Sequence, residues 1–311
     1  MPSTRLLAAV DLGSNSFRLE MGMVQQGQFN RTLYLKETVR QGNGLDDKGC
    51  LTPEALQRGW DCLARFGQHL VGLPDYDVQA VATQTLREAR NRDDFLRRGS
   101  HLLGFPIRVI SGEEEAHLIY QGAVQAIGAS LDNDNQPRLV LDIGGRSTEL
   151  ILGVGTQVLH VASCPVGSVA WSMAYFANNS FTPGAFEAAE RAARQLLSAQ
   201  QPVFAASQWR QCYGSAGTVN AVVDVLTANG WPGDVVTTDG LNWLLQQLLH
   251  AGHADRLQLP GVRDDRKPII GGGLSVLRAI FDLLDIQQLT PCSGGLRHGL
   301  LIALSAYGGS D

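Results

Sequence analysis

The chain has no paired-cysteine spacing, no apolar run that could span a membrane and no surplus of positive charge. Its five cysteines (Cys50, Cys62, Cys164, Cys212 and Cys292) are odd in number, far apart and free of any CxxC. That pattern argues against a disulfide framework or a zinc knuckle and points to reduced thiols in or near a core. No uninterrupted apolar stretch approaches the roughly 20 residues of a spanning helix. The opening "MPSTRLLAAVDLG" lacks the apolar core and small-residue cleavage site of a secretory signal. The expectation is a cytoplasmic protein without membrane contact. A net charge of −5 argues against general nucleic-acid binding, which rests on many Lys and Arg contacts to phosphate. A polyanionic ligand would have to be held by local donors and a metal instead. There is no conventional P-loop and no low-complexity tail. His250 and His253 have helical spacing but no ligand partners nearby in the sequence, so no metal site is expected there.

What is present is a repeat. "AAVDLGSNSFRLEMG" near the amino terminus returns as "LVLDIGGRSTELILG". Aligning Asp11 with Asp142 pairs Gly13, Ser16 and Leu19 with Gly144, Ser147 and Leu150. At 311 residues and 44% hydrophobic, the chain is long enough for two ordinary domains. Periodicity predicts a first strand over about 6 to 12, then strands in "SFRLEMGMV" and "FNRTLYLKE". A helix follows from Thr52 (N-cap) and Pro53 (first turn), then a strand in "YDVQAVAT", one helix over "LREARNRDDFLRRGSHLLG", a strand in "FPIRVI" and a helix over "GEEEAHLIYQGAVQAIG". From about 138 the pattern restarts with strands "RLVLDIG", "STELILG" and "TQVLHVAS", a helix around 184 to 199, strand "WRQCYG", a helix after Gly217, "IQQLTPCSGG" and a final helix from about 295. The polar "ASLDNDNQPR" reads as a linker. The predicted domains are 1–125 and 126–311, with the final helix free to pack back on the first. By analogy of pattern, the fold class is α/β: two ribonuclease H-like domains in tandem, as in the actin, hexokinase and Hsp70 superfamily, with an interdomain active-site cleft. Such an analogy does not supply a reaction.

The turns carry the candidate chemistry. In "DLGSNS" (Gly13, Ser14, Asn15, Ser16) and "DIGGRS" (Gly144, Gly145, Arg146, Ser147) a strand ends in an acid and turns tightly into the next. Successive backbone N–H groups in such a turn can meet a phosphate, and Asp11 or Asp142 at its base can hold a hydrated Mg²⁺. A lone DxG would read as a hairpin turn; two copies in matched positions favour phosphate binding. "YGSAGTVNAV" offers Gly214, Ser215, Ala216, Gly217 and Thr218 between a strand and a helix, either as an anion site or as a plain Gly-rich turn. Glu149, early on the returning strand, can join Asp142 in a metal shell or sit exposed. In "VISGEEEAHL", Ser111 and Glu114 form a capping box and Glu113 stays solvated. Glu115 continues the helix's apolar stripe, where burial favours its neutral form and makes it a candidate base for water.

Taken together, "AAVDLGSNSFRL", "VATQTLREARN", "VISGEEEAHLIYQG", "LVLDIGGRSTELILG", "YGSAGTVNAV" and "CSGGLRHGLL" resemble the exopolyphosphatase and guanosine pentaphosphate phosphatase (Ppx/GppA) family along nearly the whole chain. The resemblance implies Mg²⁺-assisted (or Mn²⁺-assisted) hydrolysis of a terminal phosphoanhydride. It places the catalytic glutamate on Glu115, a phosphate-contacting arginine on Arg87 and the cleft acids on Asp142 and Glu149. Inorganic polyphosphate is the expected substrate, guanosine pentaphosphate the runner-up, and a homodimer is permitted. The implied form is short, without the further helical domain of longer relatives. Arg146 stands where the family usually has a third glycine, either as an extra phosphate donor or as an obstruction. His117 and His298 replace the more usual Arg and Glu. A noncatalytic nucleotide sensor and a kinase of the same superfamily are the competing classes.

Overall fold

The computed structural model describes residues 5–25, 28–128 and 136–306. The chain divides into two units. The first runs to Gly122 and regains the chain from Leu296 onward; the second is Ala123–Gly295. Most of the "ASLDNDNQPR" linker lies outside the described residues.

The first unit begins with β1 (Arg5–Leu12), β2 (Phe17–Gln25) and β3 (Gln28–Glu37), an antiparallel meander. Helix α1 (Pro53–Leu70) follows, started by Thr52, whose hydroxyl accepts from the Ala55 N–H. Then come β4 (Val78–Ala82), α2 (Gln84–Glu88), α3 (Arg92–Leu103), β5 (Ile107–Val109) and α4 (Gly112–Ile127). The sheet order is β3-β2-β1-β4-β5, with β4 and β5 parallel to β1. One predicted helix is two. The chain breaks at Ala89–Asn91, where the Asn91 amide both accepts from the Leu51 N–H and donates to the Leu51 carbonyl. That long-range grip outcompetes helix continuation, in which the same side chain would find no equivalent partners.

The second unit repeats the plan with β6 (Arg138–Ile143), β7 (Thr148–Val154), β8 (Gln157–Cys164), α5 (Ser168–Tyr175), α6 (Pro183–Leu197), the single turn α7 (Gln201–Phe204), β9 (Gln211–Ser215), α8 (Ala216–Ala228), β10 (Val236–Thr237), α9 (Thr238–Ala251), α10 (Ile270–Leu284) and β11 (Gln288–Pro291). Its order is β10-β11-β9-β6-β7-β8. Strands β8-β7-β6-β9-β11 therefore match β3-β2-β1-β4-β5 position for position, and β10 adds an antiparallel edge. Two sheets of this order, each with helices packed against it, are the predicted ribonuclease H-like plan.

Sequence periodicity assigned no elements to 230–284, where the structure has α9 and α10. The cause is visible in α10, whose first turn is Gly271-Gly272-Gly273. A Cβ on Gly272 would lie 2.5 Å from Ser168 O and Ser172 N, and one on Gly271 3.0 Å from the Phe176 ring. These glycines read locally as a loop, but Gly272 lets α10 approach α5, Gly271 admits the Phe176 ring, and a Cβ on Gly273 would be 2.9 Å from Thr218 of α8.

Helix α11 (Leu296–Ala306) returns to the first unit and packs on β1 and β4. Its anchor is polar. Arg297 Nε donates to Glu20 Oε2 at 3.0 Å and lies over the Tyr34 ring at 5.2 Å, while His298 Nε2 stands 3.7 Å from the same carboxylate. Glu20 is only 1% exposed, and these partners offset the cost of burying its carboxylate. No helix among the described residues is long and apolar enough to cross a membrane.

Two stability effects follow. A Cβ on Gly299 would fall 2.0 Å from the Leu118 backbone oxygen, so Gly299→Ala should force α11 off α4 and destabilise by about 2 kcal/mol or more in urea unfolding; a neutral result would show that α11 is loosely seated. Burial, reinforced by Arg297 and Arg31, lowers the His298 pKa against the opposing pull of Glu20. A depressed folded value means a neutral ring in the fold, hence stability present above the unfolded value near 6.5 and lost as pH falls below it. The urea midpoint should decline between about pH 7 and 5, and His298→Gln should flatten that slope. An unchanged slope would mean that His298 is hydrated.

Candidate active site

Antiparallel register decides what each strand pair presents. Residues directly opposite share a face of the sheet. In the second unit Asp142 of β6 lies opposite Glu149 of β7, Glu149 opposite Ser163 of β8, and Asp142 beside Ser215 of β9. In the row Ser163, Glu149, Asp142, Ser215, the serine at each end is hydrogen-bonded to the acid beside it. Ser215 Oγ donates to Asp142 Oδ2 at 2.5 Å and Ser163 Oγ to Glu149 Oε1 at 2.8 Å. Both acids are more than nine-tenths buried. Adjacent buried carboxylates repel unless a cation accompanies them, and two hard oxygen donors with room for water are what Mg²⁺ takes from a protein. No cluster of three or more His, Cys, Asp or Glu suited to a metal occurs among the described residues.

The equivalent row in the first unit has the opposite character. Asp11 of β1 lies opposite Arg18 of β2, which lies opposite Lys36 of β3. Arg18 Nη1 is 3.1 Å from Asp11 Oδ2, and Arg297 Nη1 is 3.8 Å from the same oxygen. Asp11, expected as a metal ligand, is thus flanked by two guanidinium groups, whereas Asp142 faces a second acid.

The two glycine turns have matching geometry. A Cβ on Gly13 would sit 3.0 Å from Ser16 O, and one on Gly144 3.2 Å from Ser147 O. Neither Asn15 nor Arg146 adopts a left-handed φ, so the backbone admits Arg146 without strain. In the first turn the carbonyls of Ser14 and Asn15 accept from the N–H groups of Gly42 and Arg40, at 2.7 and 2.9 Å. A trans peptide points its N–H opposite to its C=O, so these bonds turn the amides of Asn15 and Ser16 to the other side. In the second turn Ser168 N–H binds Gly144 O and Val169 N–H binds Gly145 O, which turns out the amides of Gly145 and Arg146. Each turn therefore presents a pair of N–H donors, the nest that suits an anion. The supports are unrelated: the start of α5 in one case, and in the other a single 3₁₀ turn (Gln41–Gly44) entered through Arg40 at φ 53°. A left-handed arginine costs about 1 kcal/mol. Gly167 is required where it stands, since a Cβ would lie 2.5 Å from Arg146 N.

The third loop joins β9 to α8. Ala216 at its head has φ 65°, and the first N–H groups of α8 lack intrahelical partners, as at any helix start. The side chains of Ser215 and Thr218 are committed inward, the former to Asp142 and the latter to Ile143 O at 2.9 Å, so only backbone donors remain there. Gly217 lies against Arg266, whose guanidinium would be 2.4 Å from a Cβ. Arg266 escaped sequence analysis because nothing in its loop signals an approach to a residue so far away in the chain.

Arg87 and Glu115 come together. Arg87 Nη1 is 2.7 Å from Glu115 Oε2 and donates to Ile110 O at 3.0 Å, while Nε and Nη2 bind Gln84 Oε1. Glu115 is 7% exposed. Arg90 and Arg92, indistinguishable from Arg87 in the sequence, are exposed. The predicted capping box is half formed. The Glu114 N–H donates to Ser111 Oγ, but the Glu114 carboxylate turns to Arg108. Thr85 Oγ1 donates to Ser14 Oγ at 2.8 Å, tying the first turn to the short helix that carries Arg87.

A model of the Ppx/GppA phosphatase family matches residues 23–307. The chain belongs to that family. An exopolyphosphatase from Cytophaga hutchinsonii is 22% identical, with a TM-score of 0.85 over 97% of this chain and 98% of its own. An exopolyphosphatase-like protein is 24% identical, with a TM-score of 0.84 over 96% and 97%. The Aquifex aeolicus member of the family is 22% identical, with a TM-score of 0.78 over 99% and 100%. At these identities the likenesses establish the fold.

Within this family member the Arg87–Glu115 pair is testable by itself. Arg87→Met should destabilise by about 3 kcal/mol because it strands a buried carboxylate, and adding Glu115→Gln should recover part of that loss. Strict additivity in denaturant unfolding would mean that the two side chains do not interact.

Proposed function

We propose that this phosphatase is an exopolyphosphatase that hydrolyses the terminal phosphoanhydride of inorganic polyphosphate and releases orthophosphate. The observation that carries the reading is the ion pair at 2.7 Å between half-buried Arg87 and buried Glu115, a cation for a phosphoryl oxygen beside a base for water. In this reading the outward N–H pairs of the two glycine turns bind phosphate oxygens, with Arg146 an additional donor at the second. The amides at the start of α8 receive a further phosphate. Arg87 offers its charge to the transferring group, and Glu115, released by it, orients the attacking water and takes its proton. Asp142 and Glu149 would hold Mg²⁺, which supplies charge neutralisation along the anhydride when bound. Asp11, flanked by Arg18 and Arg297, positions cationic side chains in place of a metal. All five cysteines are free thiols, which suits a reducing compartment and supports a cytoplasmic location.

Guanosine pentaphosphate 5′-phosphohydrolase activity is the second reading, since the same groups serve both leaving groups. The deciding experiment measures phosphate release from short polyphosphate, long polyphosphate and guanosine pentaphosphate, with Mg²⁺ and after chelation. Glu115→Gln should lose at least about a hundredfold in kcat while still binding ligand. Release confined to the guanosine compound would promote the second reading, and binding without release from any of the three would make the protein a sensor. Near-normal turnover of the variant would remove Glu115 from the chemistry.

A further inference from the structure

The 3₁₀ turn behind the first glycine turn contains an anomaly that the proposed reaction does not use. Gln41 is 1% exposed, and neither its side-chain nitrogen nor its oxygen has a hydrogen-bond partner. The amide is wedged against α1 and α3. A Cβ on Gly59 would lie 2.9 Å from the amide oxygen and 2.6 Å from the Phe95 ring, which Trp60 stacks upon. A methionine or leucine would fill this apolar space without leaving two polar groups unsatisfied, so a glutamine here works against stability.

Its place in the chain suggests what it does. Gln41 lies between Arg40 and Gly42, whose N–H groups hold the Asn15 and Ser14 carbonyls and so aim the amides of that turn. The segment is braced on its other side by Arg58, which donates to the carbonyls of Val39 and Arg40, and it is entered through the left-handed Arg40. Two unfavourable features, a left-handed arginine and an unpaired buried amide, thus sit together on the segment that binds the carbonyls of the first turn.

We infer that Gln41 is a positioning residue for the first phosphate turn, its amide unpaired in the resting fold and hydrogen-bonded once a phosphate oxyanion occupies the turn. A shift of the turn's carbonyls is passed directly to the Arg40 and Gly42 N–H groups, so the side chain between them moves with anion binding. Relief of the unpaired amide is then coupled to that binding. The inference rests on the proposed role of the turn as a phosphate site.

The test uses the whole chain and Gln41→Met, with Gln41→Leu as a second variant should the first fold poorly. Without ligand the variant should melt at a higher temperature than wild type, because the unpaired amide is gone. Tripolyphosphate, added without divalent metal, should stabilise the variant less than wild type. In phosphate-release assays KM should rise on the order of tenfold with kcat within about twofold. A melting temperature equal to or below wild type would show that the amide is already paired in solution. An unchanged KM and an undiminished tripolyphosphate shift would show that Gln41 does not report to the turn, and either result overturns the inference. Wild-type turnover with an insensitive variant rejects the role of Gln41 alone, whereas no wild-type turnover on any phosphoanhydride rejects the proposed reaction while the melting comparison still judges Gln41.

Discussion

The chemistry of this protein depends on one constraint of antiparallel pairing: residues directly opposite must project from the same face. The constraint operates twice on duplicated backbones and yields opposite charges. In the first unit Asp11 meets Arg18, and the acid is spent on holding cations, including Arg297 of the helix that returns from the far end of the chain. In the second unit Asp142 meets Glu149, and two carboxylates share one patch of sheet with a serine on either side. The repeat preserved the strand order while the substitution of an acid for an arginine at one register position divided the work.

Peptide planarity performs the next step. A carbonyl that is held from behind turns out the N–H on the same peptide, so whatever binds the carbonyls of a glycine turn sets the donors an anion would meet. The two turns reach this result with different supports. The start of α5 gives the second turn a regular helical backing. The first turn is backed by a segment that includes a left-handed arginine and a buried amide without partners, features that a purely structural brace would not need. The first turn is also linked through Ser14 and Thr85 to the helix of Arg87, so donors and cation belong to one connected piece of structure.

Much of this was legible residue by residue. Alternation marked the meanders, Thr52 and Pro53 marked the start of α1, and the matched DxG phrases marked both turns. Illegible features share a physical cause, namely partners distant along the chain. Asn91 ends a helix because Leu51 is beside it, Gly272 is glycine because α5 leaves no room for a Cβ, and Glu114 leaves its capping box because Arg108 competes for its charge. Local pattern alone did not separate Arg87 from Arg90 and Arg92; the family resemblance did, and the fold then left Arg87 half-buried against Glu115 and the other two exposed.

By itself, then, the sequence determined the repeat and the strand and turn chemistry, because those depend on short-range periodicity and on the residue types a tight turn tolerates, while the family was legible only as a resemblance in the whole set of motifs. Tertiary structure decided which carboxylate meets a cation and which meets another acid, which arginine of a helical run pairs with Glu115, and which glutamine is left with nothing to bind. Each of those outcomes is a matter of register or burial, and both are set only when segments far apart in the chain come together.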